Sequence, residues 1–156
     1  MRAVLVALAV ALAAPTAISA TRPAPSLEGV DARTGRHISL AAYAGRRVVI
    51  NVWGSWCSEC VLESADLKRF AATHRDVQML GIDIHDTKAG AKRFYAQYDE
   101  DWPSVFDPTG RIAKRFGADS APVTFFLDRR HRIVAVVYAA GTLAQFNAAY
   151  RKTVHS

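Results

Sequence analysis

Cys57 and Cys60 are the only cysteines in the chain, and they stand three positions apart in Trp56-Cys57-Ser58-Glu59-Cys60. Residues i and i+3 of a helix share a face, so the two sulfurs can meet across the first helical turn and close a small ring. Cys57, at the start of that helix, lies where free backbone N–H groups and the helix dipole favour negative charge. The thiolate is the nucleophilic form of cysteine, and a pKa lowered from ~8.5 to ~7 raises its share at neutral pH from about 3 per cent to about half. Cys60, deeper in the helix, is expected to stay protonated until it resolves a mixed disulfide. The spacing therefore predicts thiol–disulfide exchange, a reaction that needs no cofactor.

Two cysteines can serve other ends, each with its own sequence requirement. Half of a zinc site would need a second ligand pair, and neither His74 nor His85 stands at finger spacing. Two thiolates also suit Cu(I), so a copper-binding and delivery module stays open as the alternative. A thiol peroxidase is the lesser alternative, since it would carry Pro-x-x-x-Thr-x-x-Cys where Asn51-Val52-Trp53 stands. A structural disulfide framework would require more cysteines, spread more widely.

The elements that must position this pair can be read around it. Arg46 to Trp53 is β-branched and almost wholly apolar, as expected of a strand covered on both faces. Gly54-Ser55-Trp56 is a turn, and a helix follows from about Cys57 to His74. Val77 to Ile84 is the next strand and Thr87 to Tyr98 the next helix, an alternation that implies right-handed crossovers and a parallel sheet core. Trp102 to Phe106 is a short extended piece and Arg111 to Phe116 a brief helix stopped by Gly117. Val123 to Leu127 and Ile133 to Ala139 form a hairpin, and Leu143 to Lys152 is a closing amphipathic helix. Ahead of these, Leu27 to Val30 and His37 to Ser39 flank Thr34-Gly35 as a small hairpin. The fold class expected is α/β and thioredoxin-like: a central mixed sheet flanked by helices, with an N-terminal hairpin.

The chain has 156 residues. Arg2 followed by the apolar run Ala3 to Ala14 and the small residues up to Ala20 reads as an export signal. The uninterrupted run is shorter than the ~20 residues of a spanning helix, although retention as an N-terminal anchor is the competing reading. Residues 1–20 are thus a signal peptide or anchor, 21–26 a Pro-rich linker, and 27–156 one domain. The formal charge is +6, and the basic residues come as scattered pairs such as Arg46-Arg47, Lys68-Arg69 and Arg129-Arg130. Acidic residues intervene, so no stripe for nucleic acid is expected. The pairs read as solvated faces, and weak attraction to an anionic membrane surface is compatible with the charge.

The run from Val49 through Trp53-Gly54-Ser55-Trp56-Cys57-Ser58-Glu59-Cys60-Val61-Leu62-Glu63 resembles the active-site signature of the TlpA/ResA-like extracytoplasmic thioredoxins, Trp-Cys-x-x-Cys-x-x-Glu after a strand ending in Asn-Phe-Trp. The resemblance continues through Gly81-Ile82-Asp83, Trp102-Pro103, Phe106-Asp107 and Ala121-Pro122-Val123-Thr124-Phe125-Phe126-Leu127-Asp128 to Gly141, and so spans about Leu27 to Tyr150. Two departures bear on redox potential and substrate: Glu59 stands where Pro is usual, and no Pro follows Glu63 closely.

The resemblance implies disulfide reduction outside the cytoplasm. Its partners would be disulfide-containing exported proteins, apocytochrome c among them, with electrons from a membrane thiol–disulfide carrier. A monomer is expected. The resemblance also implies roles around the cysteines. Glu63 would accept the proton of Cys60, Pro122 would be a cis-proline, and Ala121–Pro122 with Trp56 would contact substrate. Asn51 replaces the aspartate of cytoplasmic thioredoxins and is expected to make structural hydrogen bonds. Trp53 is expected in the core, and His37, His74, His85 and His131 on surfaces or loops.

Overall fold

The computed structural model describes residues 21–156; the signal or anchor expected at 1–20 lies outside them. Its strands are β1 (Arg22–Pro23), β2 (Glu28–Val30), β3 (His37–Ser39), β4 (Arg47–Trp53), β5 (Val77–Ile84), β6 (Ser104–Asp107), β7 (Val123–Leu127) and β8 (Arg132–Tyr138). Its helices are α1 (Ser58–Thr73), α2 (Lys88–Tyr98), α3 (Arg111–Phe116) and α4 (Leu143–Val154), and a 3-10 turn covers Leu40–Tyr43. Six strands form one sheet in the order β1-β8-β7-β4-β5-β6, and β2 and β3 form a separate hairpin. β4, β5 and β6 are parallel, while β7 and β8 run antiparallel to their neighbours. This is the mixed sheet expected from the order of elements. The stretch read as a tether contributes β1, whose Arg22 and Pro23 pair with Ile133 and Arg132.

Alternation along the central strands sorts side chains into two layers. Val48, Ile50 and Val52 of β4 join Leu80, Ile82 and Ile84 of β5 on one face, covered by Ala113 and Phe116 of α3 and by Leu27, Ile38 and Leu40. Val49 faces the other way with Met79 and Phe126, against Leu67 and Phe70 of α1 and Phe146 and Ala149 of α4. Near the C-terminal ends of the parallel strands this second layer becomes Trp53, Cys57, Cys60, Ala91, Phe94 and Tyr95. Asn51 shares the face of Val49 and Trp53, so the sheet pleat delivers it beneath α1.

Local signals start the helices. Thr142 and Gln145 form a reciprocal capping box on α4. Thr87 Oγ1 caps α2 by accepting the Gly90 N–H at 3.0 Å. Cys57 itself caps α1: its Sγ accepts the Cys60 N–H at 3.1 Å. α1 therefore begins on the first cysteine and buries the second.

Candidate active site

The turn between β4 and α1 is held from below. Asp86, beyond the end of β5, accepts the Ser55 N–H at 2.6 Å and the Ser55 hydroxyl at 2.8 Å, and also the Thr87 N–H at 2.6 Å. One carboxylate thus ties the turn ahead of Cys57 to the start of α2. Trp56 folds its indole over Gly54 and donates Nε1–H to the Ile84 carbonyl at 3.0 Å. A Cβ on Gly54 would lie 2.5 Å from that Nε1, so only glycine lets the ring lie there. The indole is still 54% exposed, the largest apolar group offered beside the cysteines.

Cys57 and Cys60 are joined in a disulfide with Cα atoms 5.3 Å apart, and both are buried. Trp53 lies under them in the same cluster, fully buried, with its Nε1–H donated to Ser104 Oγ at 2.8 Å and its ring against Phe94 and Tyr95. Ala121 packs against that cluster, and the Ala121–Pro122 peptide bond is cis. The structure therefore brings Trp56, Cys57, Cys60, Ala121 and Pro122 into one site.

Glu63 is one helical turn past Cys60 on the inner face of α1 and is 1% exposed. Its Oε1 accepts an Asn51 Nδ2–H at 2.8 Å, and its Oε2 accepts the Gly141 N–H at 2.8 Å. Asn51 gives its other amide hydrogen to Thr124 Oγ1 at 3.0 Å, across the β4–β7 pair that aligns the two residues. Burial pushes the Glu63 carboxyl up to about 7; the Gly141 and Asn51 hydrogen bonds pull it back, and the Glu59 charge adds to the rise. The group is thus poised to gain or lose a proton near neutrality.

Two further acids share this layer. Glu100 is 5% exposed, and burial raises its carboxyl to about 8, with Glu63 as a like charge and Ser64 and Lys68 opposing. Asp83 sits on β5 opposite Trp53, fully buried, and neither carboxylate oxygen has a hydrogen-bond partner among the described residues. Burial drives it up to about 9, and the neighbouring charges of Asp86, Asp107 and Asp31 push the same way. A charged residue inside an apolar strand was the sequence signal for Asp83. Glu100 carries no such signal, because it follows a helix like any solvated glutamate. Sequence reasoning also left the Ser55–Asp86 clamp and Thr124 without roles. Of the histidines, His74 is half-buried, stacked between Phe70 and Tyr150 and hydrogen-bonded to Asn147.

Residues 20–136 match the AhpC/TSA family. The chain is similar to the thiol-disulfide oxidoreductase ResA of Bacillus thuringiensis subsp. konkukian, 27% identical over 120 residues that cover 76% of this chain and 69% of the relative. Among solved structures it superposes on a DsbF homologue from Corynebacterium diphtheriae at a TM-score of 0.78 and 27% identity, covering 90% of this chain and 96% of that one. A secreted thiol-disulfide isomerase from Corynebacterium glutamicum superposes at 0.77 and 26% identity, covering 95% and 99%. A Cys-x-x-Cys disulfide at the head of a helix, on this sheet and among these relatives, makes the chain a thioredoxin-fold thiol–disulfide oxidoreductase, and it belongs to the AhpC/TSA family.

Proposed function

We propose that this oxidoreductase works outside the cytoplasm and reduces disulfides of exported proteins. The observation that carries the direction is the acidic setting of the pair: Glu59 stands between the cysteines and buried Glu63 lies one turn beyond. Negative charge disfavours a thiolate and so disfavours the reduced form, which makes that form the better electron donor.

In the reduced protein the Cys57 thiolate attacks one sulfur of a substrate disulfide. A Cys57–substrate disulfide forms, and the other substrate sulfur leaves as a thiolate that takes up a proton. Cys60 then passes its proton toward Glu63 and attacks Cys57 Sγ, which releases the second substrate thiol and leaves the Cys57–Cys60 bond. Two electrons move from the protein dithiol to the substrate, and a membrane thiol–disulfide carrier restores the dithiol. Asn51 and the Gly141 N–H hold the Glu63 carboxylate in place for that proton. An extended substrate segment lies along Ala121–Pro122 beside the Trp56 indole.

Insulin reduction tests the reading. The wild-type protein should catalyse it, and either Cys57→Ser or Cys60→Ser should abolish turnover. Turnover retained in both variants would overturn it. For export, a mature N-terminus between Ala20 and Ser26, or an intact Met1 in the membrane fraction, is expected by mass spectrometry. The copper alternative has its own test: stoichiometric Cu(I) retained by the reduced protein against a strong chelator, with no insulin reduction, would replace the reductase reading.

A further inference from the structure

Two basic pairs of the sequence, Arg46-Arg47 and Arg129-Arg130, are gathered by the fold with further cations at the end of the sheet opposite the disulfide. β4 enters there through Arg46 and Arg47, and its first pair is Arg47 with Val77 at the start of β5. Just before Val77 lie Arg75 and Asp76, after the C-terminus of α1. The β7–β8 turn, with Asp128, Arg129, Arg130 and Arg132, follows Leu127, which pairs with Val48. Arg47 Nε donates to the Thr153 carbonyl at 3.1 Å, which brings the end of α4, with Arg151 and Lys152, to the same place.

The four segments that converge here hold eight of the 20 Lys and Arg residues and two of the 14 Asp and Glu residues. These segments therefore carry a formal +6, with Asp99 and Asp101 bordering them at Arg75, beside which they line a pocket. Both acids within the segments are already engaged: Asp76 pairs with Arg47 at 3.1 Å and accepts the Tyr150 hydroxyl, and buried Asp128 pairs with Arg132 at 2.7 Å. Arg46, Arg75, Arg129, Arg130, Arg151 and Lys152 are exposed, and none has an acidic partner among the described residues.

We infer that this basic end docks on an anionic lipid bilayer, its cations against the headgroup phosphates. The cations come from four separate segments and spread over one end of the domain, which suits a surface of mobile anions better than one peptide. β1 runs toward this end and stops at the same turn. Pro23 pairs with Arg132, and the Ala24 N–H donates to the His131 carbonyl. β4 lies between this end and the cysteines, and seven strand residues at ~3.3 Å each put the disulfide about 20 Å away. A docked domain would point its redox site away from the bilayer, toward proteins beside it.

The test is partition of the full chain onto vesicles of phosphatidylcholine alone and of phosphatidylcholine with an equal share of phosphatidylglycerol, in low salt. The apolar N-terminal run contributes to both, so the anionic-to-neutral ratio reads the basic end alone. Each cation near a charged surface is worth roughly fivefold in partition, so Arg129→Gln with Arg130→Gln should lower the ratio about 30-fold. Lys92→Gln with Arg93→Gln, which removes the same charge elsewhere, should lower it far less. Raising salt to about 0.5 M should collapse the wild-type ratio through screening. Equal partition onto both vesicles, or equal losses from the two double variants, would overturn the inference. So would binding to polyglutamate without binding to anionic vesicles, which would assign the surface to an acidic protein.

Discussion

Asn51 and Glu63 meet at 2.8 Å in a place closed to solvent, one on a central strand and the other on the helix that carries the cysteines. The amide is neutral and cannot relay a proton, so the acid–base work beside Cys60 falls to the carboxyl it orients. With a carboxyl raised to about 7, that work is sensitive to pH in the range where the protein would operate.

Replacing Glu63 by Gln should therefore change the pH dependence of disulfide exchange. The wild-type rate is expected to carry an inflection near pH 7, which the variant loses while its circular dichroism stays native. Stability changes as well. A folded pKa above the ordinary 4.5 means that the fold holds its proton more tightly than the unfolded chain. That contribution is full below pH 4.5, is lost as pH rises through about 7, and is absent from the variant. Identical pH–rate profiles for the two proteins would remove Glu63 from the chemistry.

Asp83 should show a larger effect of the same sign. Its folded carboxyl titrates near 9 against an ordinary 3.8, so the fold loses stability steadily across that window as pH rises. Asp83→Asn keeps the shape without the ionisation. It should stabilise the protein by on the order of 1–3 kcal/mol at pH 8, with little change at pH 4. Denaturant titration at both pH values measures this, and a destabilised variant at pH 8 would show that the carboxylate has a partner the fold depends on.

The order of the two cysteines follows from the capping of α1. Cys57→Ser should abolish exchange, whereas Cys60→Ser should accumulate mixed disulfides through Cys57, because only the resolving thiol is gone. Non-reducing electrophoresis followed by peptide mapping identifies the bonded residue. Adducts on Cys60 in the Cys57→Ser protein, with none in the reverse case, would invert the assignment.

The reduction potential should lie on the reducing side. No Lys, Arg or His occurs between Gly54 and Glu63, while Glu59 and Glu63 both do. The midpoint is expected nearer the ~−270 mV of thioredoxin than the ~−120 mV of the strong periplasmic oxidant. Equilibration against a dithiothreitol or glutathione series, read by tryptophan fluorescence, measures it. A midpoint more oxidising than about −180 mV would make this protein a donor of disulfides.

Asp86 holds the turn ahead of Cys57 by two hydrogen bonds from Ser55 and ties it to the start of α2 by a third from the Thr87 N–H. Asp86→Ala should cost about 1–3 kcal/mol in denaturant stability, and should raise the amide exchange of Ser55 and Trp56 above that of the β4 core. Unchanged protection at those two amides would show that the Trp56–Ile84 bond alone holds the turn.

The sequence by itself determined the order of elements, the redox pair and the helix that starts on it. Each is set by local physics: β-branched runs make strands, and a helix N-terminus favours a thiolate wherever it is built. Only the tertiary structure decided where the buried acids stand and where the net charge goes. Asn51 and Gly141 lie 12 and 78 positions from Glu63 in the chain and meet it because α1 crosses β4 and the loop after β8 returns to it. Glu100 looks like any helix-end glutamate until packing removes its water. Arg46-Arg47 and Arg129-Arg130, each an ordinary solvated face in sequence, join Arg75, Arg151 and Lys152 in one charged surface because β4, β7 and β8 and the ends of α1 and α4 converge on the same end of the sheet. Burial and charge summation depend on distance through space, and no pattern of neighbours along the chain encodes that directly.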